Sequence, residues 1–217
     1  MKFGQNMEDV QRKEWKDKYI NYDILKRKLW EVRDELENPH PNSAPVIEAK
    51  RAIFQGYLDS EIEKVVMWYK SSLESLTNTV KTLERDLALA PQILADVTLA
   101  TDFKLKGMHT LRNRWKTVGT ELAFLLEYVS LNMVAMRKIL KKYAKHVEPT
   151  APMEGYCTLE IQHPDDPGWA FVQGTFLPDY VAEELDIMQN DPAVADIQER
   201  TEVALGYLQM MRKILSE

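Results

Sequence analysis

The chain has 217 residues, 45% of them hydrophobic, and a formal charge of −6, enough apolar material for one large domain or one domain with an appendage. Net acidity disfavours a nucleic-acid binder held by overall charge, and the single cysteine, Cys157, excludes an internal disulfide or a cysteine metal cage and agrees with a reducing compartment. Apolar runs of only a few residues predict neither a membrane span nor a signal peptide, and eight glycines with sparse β-branched alternation argue against sheets and Gly-rich phosphate loops.

In chain order, a short N-terminal helix carries Met7 and Val10, and a second helix over 21–37 places Tyr22, Leu25, Leu29, Val32 and Leu36 on one stripe. Residues 38–45, with Pro39, Pro41 and Pro45, read as a loop. Leu58, Ile62, Val65, Tyr69, Leu76, Val80 and Leu83 then recur at steps of three, four or seven, predicting a long helix from Val46 to about Ala90. Val118, Leu122, Leu125, Val129, Met136 and Tyr143 repeat that spacing over about 104–145, with Asn132 interrupting the stripe. Two helices of roughly 40 residues, each about 60 Å long, are expected to pack antiparallel through a turn at Pro91. From Pro149 onward the composition becomes proline-containing and acidic, but Asp191-Pro192 followed by Val194, Ile197, Ala204, Leu208, Met211 and Leu215 reads as a capped amphipathic helix. The predicted fold is all-α: an N-terminal helical hairpin, two long antiparallel helices forming an elongated bundle, and short C-terminal helices. The boundary falls at 147, with 148–217 packing on the bundle or connecting to something further.

The charge is unevenly placed. Arg137, Lys138, Lys141, Lys142 and Lys145 fall between Leu131 and His146 with no acid among them. Lys138, Lys141, Lys142 and Lys145 stand at i, i+3, i+4 and i+7, within an arc of about 100° on one helix face. Like charges at these spacings cost an isolated helix a few tenths of a kcal/mol per pair. One reading is a solvated basic end favoured by the helix dipole; the other is an anion site. Ammonium groups are movable point charges suited to crowded phosphates, and Tyr22 with Lys26, at i and i+4, offers a phenol and an ammonium from a second helix.

Met-Lys-Phe-Gly at 1–4, Trp15, Tyr19-Ile20-Asn21-Tyr22, Leu25-Lys26, the run from Leu58 to Val65, Leu131-Asn132 and the run from Arg137 to Tyr143 resemble, in that order and at those separations, the SPX domain family over residues 1–147. The resemblance implies a sensor of phosphate status that binds inositol polyphosphates and pyrophosphates, with orthophosphate a weaker ligand. By position it implies that Tyr22, Lys26 and Lys142 form a phosphate-binding cluster, that Lys138, Lys141 and Lys145 form a neighbouring lysine surface, and that Lys2 joins the site. Ala135 stands where the family commonly has Gly, and Ala144 where it commonly has Asp.

Within the family, Trp115-Lys116-Thr117-Val118-Gly119, Glu121-Leu122 and Leu125-Leu126 resemble SPX units fused to major-facilitator phosphate transporters of vacuolar membranes. That resemblance implies a cytoplasmic domain, on the cytosolic face of such a membrane, with 148–217 leading to a membrane domain. Alternatives are a stand-alone SPX protein that binds a transcription factor, or the regulatory domain of a polyphosphate polymerase or glycerophosphodiesterase. No Gly-x-Ser-x-Gly elbow, phosphate loop or His-Glu-x-x-His occurs, and His40, His109, His146 and His163 are dispersed without ligand spacing. The chain is therefore expected to be no enzyme, to need no cofactor or metal, and to bind no nucleic acid. An anionic lipid headgroup is a less favoured ligand, since no apolar insertion helix adjoins the lysines.

Overall fold

A computed structural model describes residues 3–147, 156–158, 176–178 and 187–216. Five helices carry the fold among them: α1 (Phe3–Val10), α2 (Tyr22–Glu37), α3 (Ser43–Ala95), α4 (Thr101–His146) and α5 (Pro192–Ser216), with a 3₁₀ segment at Lys13–Lys18 between α1 and α2. Two three-residue strands, β1 (Tyr156–Thr158) and β2 (Phe176–Pro178), pair antiparallel with Cys157 opposite Leu177. This ribbon, unforeseen in the sequence, is too short to alter the all-α class.

Two compact units are present, one drawn from Met1–Trp68 with Tyr128–Gln189, the other from Tyr69–Glu127 with Asn190–Glu217. The core of the first takes from the expected stripes Leu25, Leu29 and Val32 of α2, Leu58, Ile62 and Val65 of α3, and Met136 and Tyr143 of α4, and adds Phe54, Met133 and Ile139, all buried. Phe54 stacks on Tyr143 with centroids 4.8 Å apart, while the Tyr128 hydroxyl lies 3.5 Å from the Val65 carbonyl oxygen. These pairings run in opposite directions along α3 and α4, so the helices are antiparallel here. Met7 of α1 is buried, while Val10, at the end of α1 where the chain turns into the 3₁₀ segment, is 72% exposed.

In the second unit, Asp86 pairs with Arg114, and α5 is fixed by Arg200 to Glu84 at 3.6 Å and by the Tyr69 hydroxyl donating to Asp191 Oδ2 at 3.1 Å. Asp191 also caps α5, accepting the Ala193 N–H at 2.9 Å, as the Asp-Pro signal predicts. Ile197, Ala204, Leu208 and Met211 form the buried face of α5.

Both prolines expected to bound α3 lie inside it. Pro45 occupies the first turn, where its missing N–H has no intrahelical partner to lose. Pro91 sits in the exposed last turns, where solvent can meet the carbonyl left without a donor. The reversal falls instead at 96–100. Asp96 Oδ1 accepts from the Thr98 N–H at 2.8 Å and hydroxyl at 2.6 Å, and Lys104 Nζ donates to the Leu94 carbonyl at 2.8 Å, closing the end of α3.

By length and composition α4 is apolar enough to cross a membrane, against the sequence expectation, its best 18-residue window having a mean hydropathy of 1.2. Leu122, Leu125, Tyr128, Val129 and Met133 of α4 are buried in the protein core, and a core helix meets the same criterion.

Candidate functional site

The predicted site lies in the first unit, where the N-terminal end of α2 meets the C-terminal end of α4. Its geometry begins with Asn132, the polar break in the α4 stripe. Asn132 is fully buried; its Oδ1 accepts the Ile20 N–H at 2.8 Å and its Nδ2 donates to the Tyr128 carbonyl at 2.8 Å. Tyr128 donates its hydroxyl to the Lys18 carbonyl at 2.8 Å, and Glu61 of α3 accepts the Asn21 N–H at 2.6 Å. Asn21 in turn caps α2 by accepting the Ile24 N–H at 3.1 Å. Both long helices therefore hold the first turn of α2, which fixes where Tyr22 and Lys26 stand. Trp15, Trp68, Tyr19 and Tyr128 pack around these bonds, with Trp68 and Tyr128 centroids 4.3 Å apart.

At its other end α4 is seated by the Phe54–Tyr143 stack and by Arg51, whose Nη2 donates to the Val147 carbonyl at 3.4 Å. The turn that buries Ile139, Leu140 and Tyr143 leaves Lys138, Lys141 and Lys145 exposed and Lys142 half-buried. Partial burial, and then the positive charges of Lys26 and Lys138, push the Lys142 ammonium below its ordinary value. The Lys26 charge, from a different helix, thus acts on Lys142, and the charges acting on Lys142 are cations. Tyr22 is 5% exposed; burial, and then the adjoining Asp23 carboxylate, push its phenol above the usual value. Lys2 lies outside the described residues. Ala135 is fully buried and Ala144 half-buried, and neither changes the number of cations.

Sequence reasoning missed an aromatic centre between the two helices. The Trp30 ring carries the Arg33 guanidinium at 4.3 Å and the Lys142 Nζ at 5.7 Å, and meets the His146 ring edge-on at 5.0 Å. The signal was present: Trp30 follows Lys26 by four residues, and His146 follows Lys142 by four, which places each on the face already chosen. A cavity of about 240 Å³ opens beside Tyr22, but Glu8, Asp17 and Asp23 line it together with Lys16 and Lys64, a mixed surface less suited to a polyanion than the lysine face.

Residues 1–52 match the family profile of the SPX domain, a stretch that contains α1, α2 and the start of α3. Over that stretch the chain is similar in sequence to the SPX domain family. Its relatives include an SPX domain-containing membrane protein of Oryza sativa subsp. indica, 31% identical over 143 residues that make up 66% of this chain and 19% of the relative. A second protein of that description from the same organism is 27% identical over 198 residues, 91% of this chain and 26% of the relative. The chain thus spans about a fifth to a quarter of the length of these membrane proteins. In fold, the chain is similar to the SPX domain of Chaetomium thermophilum glycerophosphodiester phosphodiesterase 1, solved in complex with inositol hexakisphosphate, with a TM-score of 0.66 and 22% identity over 96% of this chain and 99% of that one.

Proposed function

We propose that the chain is a phosphate-status sensor domain, binding inositol polyphosphates or pyrophosphates through Tyr22, Lys26, Lys138, Lys141, Lys142, Lys145 and Lys2, and that it forms the regulatory, non-catalytic part of a membrane phosphate transporter exposed to the cytosol. The observation that carries this reading is the seating of Lys142 over the α2 residue Trp30, 5.7 Å from its ring and one turn from Lys26, whose positive charge acts on it, a repulsion that a polyanion relieves. A merely solvated basic helix end supplies no reason for the second helix to add its own cation. The inositol hexakisphosphate complex of the similarly folded domain supports the ligand class, and the membrane-protein relatives favour a transporter over a free-standing partner of a transcription factor or a unit of an enzyme. In this reading 1–147 is the sensor and 148–217 leads from it toward the membrane portion.

The test is calorimetric titration of the purified chain with inositol hexakisphosphate. Lys142→Ala and Lys26→Ala are each expected to lose a charge-assisted contact of about 1.5–3 kcal/mol, roughly ten- to hundredfold in affinity. Lys13→Ala, away from the cluster, is expected to change little. No binding at micromolar ligand, or equal small losses from every lysine with none from Lys26, removes the assignment.

A further inference from the structure

The polyanion site described above has an ionisable member that the lysine pattern does not contain. His146 stands one helical turn beyond Lys142 on the same face of α4, half-buried against the edge of Trp30. The groups around it are predominantly cationic. Lys142 and Lys145 of its own helix and Arg33 of α2 all act on the imidazole, with Glu37 of α2 as the one opposing charge among them. From α3, Arg51 reaches the adjoining Val147 carbonyl while paired with Glu48 at 3.0 Å. Arg33 is itself tied to Asp34 at 2.6 Å and Glu37 at 3.5 Å. In the free protein these surroundings disfavour the charged form of the ring.

Resting on the polyphosphate reading, we infer that His146 is an anion-contacting residue that takes up a proton from solvent when a polyphosphorylated ligand spans Lys26 and Lys142, and then donates an N–H to a phosphate oxygen. The step needs no other reactant: one proton leaves water, one ring nitrogen gains it, and the ligand's negative charge replaces the cations' repulsion as the dominant local field. Partial burial and the cations of Lys145, Arg33 and Lys142 lower the imidazole pKa in the free protein. A bound polyanion must raise it, because an opposite charge at hydrogen-bond distance favours the charged form. Since the bound state then holds its proton more tightly than the free state, affinity rises as pH falls across the interval between the two values and levels off below the lower one. Trp30 sets the geometry by holding His146 and Lys142 on one aromatic platform.

The experiment titrates inositol hexakisphosphate into wild type and His146→Gln in buffers of different ionisation enthalpy, at several pH values between 6 and 8. Glutamine keeps a hydrogen-bonding side chain that cannot charge, and ionisation of the ligand's own phosphates is common to both proteins. Wild type is expected to take up several tenths of a proton more than the variant at neutral pH, and to gain up to about tenfold in relative affinity per pH unit lowered. A second readout needs no variant: the NMR titration of the His146 ring in wild type, free and ligand-saturated, is expected to show the pKa rising on binding. Equal proton uptake by two binding-competent proteins, or an unchanged His146 titration in the saturated complex, overturns the role of His146 while leaving the lysine site standing. Absence of binding to wild type overturns both.

Discussion

Asn132→Ala measures how much of the site depends on one buried amide. The substitution removes the acceptor of the Ile20 N–H and the donor to the Tyr128 carbonyl, both at 2.8 Å, in surroundings where Asn132 is fully buried and Ile20 only 2% exposed. An unpaired buried N–H costs about 1–3 kcal/mol and the lost side-chain bond about 0.5–1.5. Alanine's better helix propensity returns roughly 0.6 kcal/mol. The net loss is on the order of 2 kcal/mol, read as the change in unfolding free energy from urea melts followed by helical circular dichroism. Inositol hexakisphosphate affinity is expected to fall as well, since Ile20 anchors the turn that presents Tyr22 and Lys26. Asn132→Asp sharpens the test. Its carboxylate repels the Tyr128 carbonyl when ionised but can donate to it when protonated. Burial raises its folded pKa above the unfolded value, so its defect must shrink as pH falls. A loss below about 0.5 kcal/mol for Asn132→Ala, or an Asn132→Asp defect independent of pH, refutes the claim that this amide holds the segment.

Two further outcomes follow from contacts elsewhere. Tyr69→Phe removes a buried hydroxyl from the Asp191 carboxylate and is expected to destabilise the α5 docking by about 1.5–3 kcal/mol, seen as faster amide exchange in the first turns of α5. Because the cluster lysines are exposed or half-exposed, raising salt from 0.1 to 0.5 M is expected to weaken inositol hexakisphosphate binding at least about tenfold by calorimetry, whereas a salt-insensitive affinity points to a different site.

The long helices were legible because proline-free spans of strict apolar spacing leave a chain few alternatives, and Leu58, Val65, Leu125 and Met136 went to the core as their positions demand. Helix ends were less legible. Proline marks a boundary only where a donor or a clash matters, and neither rule separates Pro45 and Pro91 inside α3 from prolines outside it. The lysine face could be read from one helix alone, since spacing within a helix is local information. Its meeting with Lys26, Trp30 and Arg33 could not, because a register between α2 and α4 is set by distant contacts such as Asn132 with Ile20, 112 residues apart. Asn132 itself read as an interruption of the stripe; it is the residue that sets the register.

Trp30 gives the molecule an intrinsic optical probe. Its indole lies edge-on to His146 at 5.0 Å and under Lys142, and a protonated imidazole at that range withdraws charge from an excited indole far more effectively than a neutral one. The emission of this tryptophan, one of five in the chain, should therefore register the charge state of the end of α4 directly, with Trp30→Phe supplying the blank to subtract. Site occupancy and the proton that accompanies it become visible in a fluorimeter, without any label attached to the lysines that a conventional dye would neutralise.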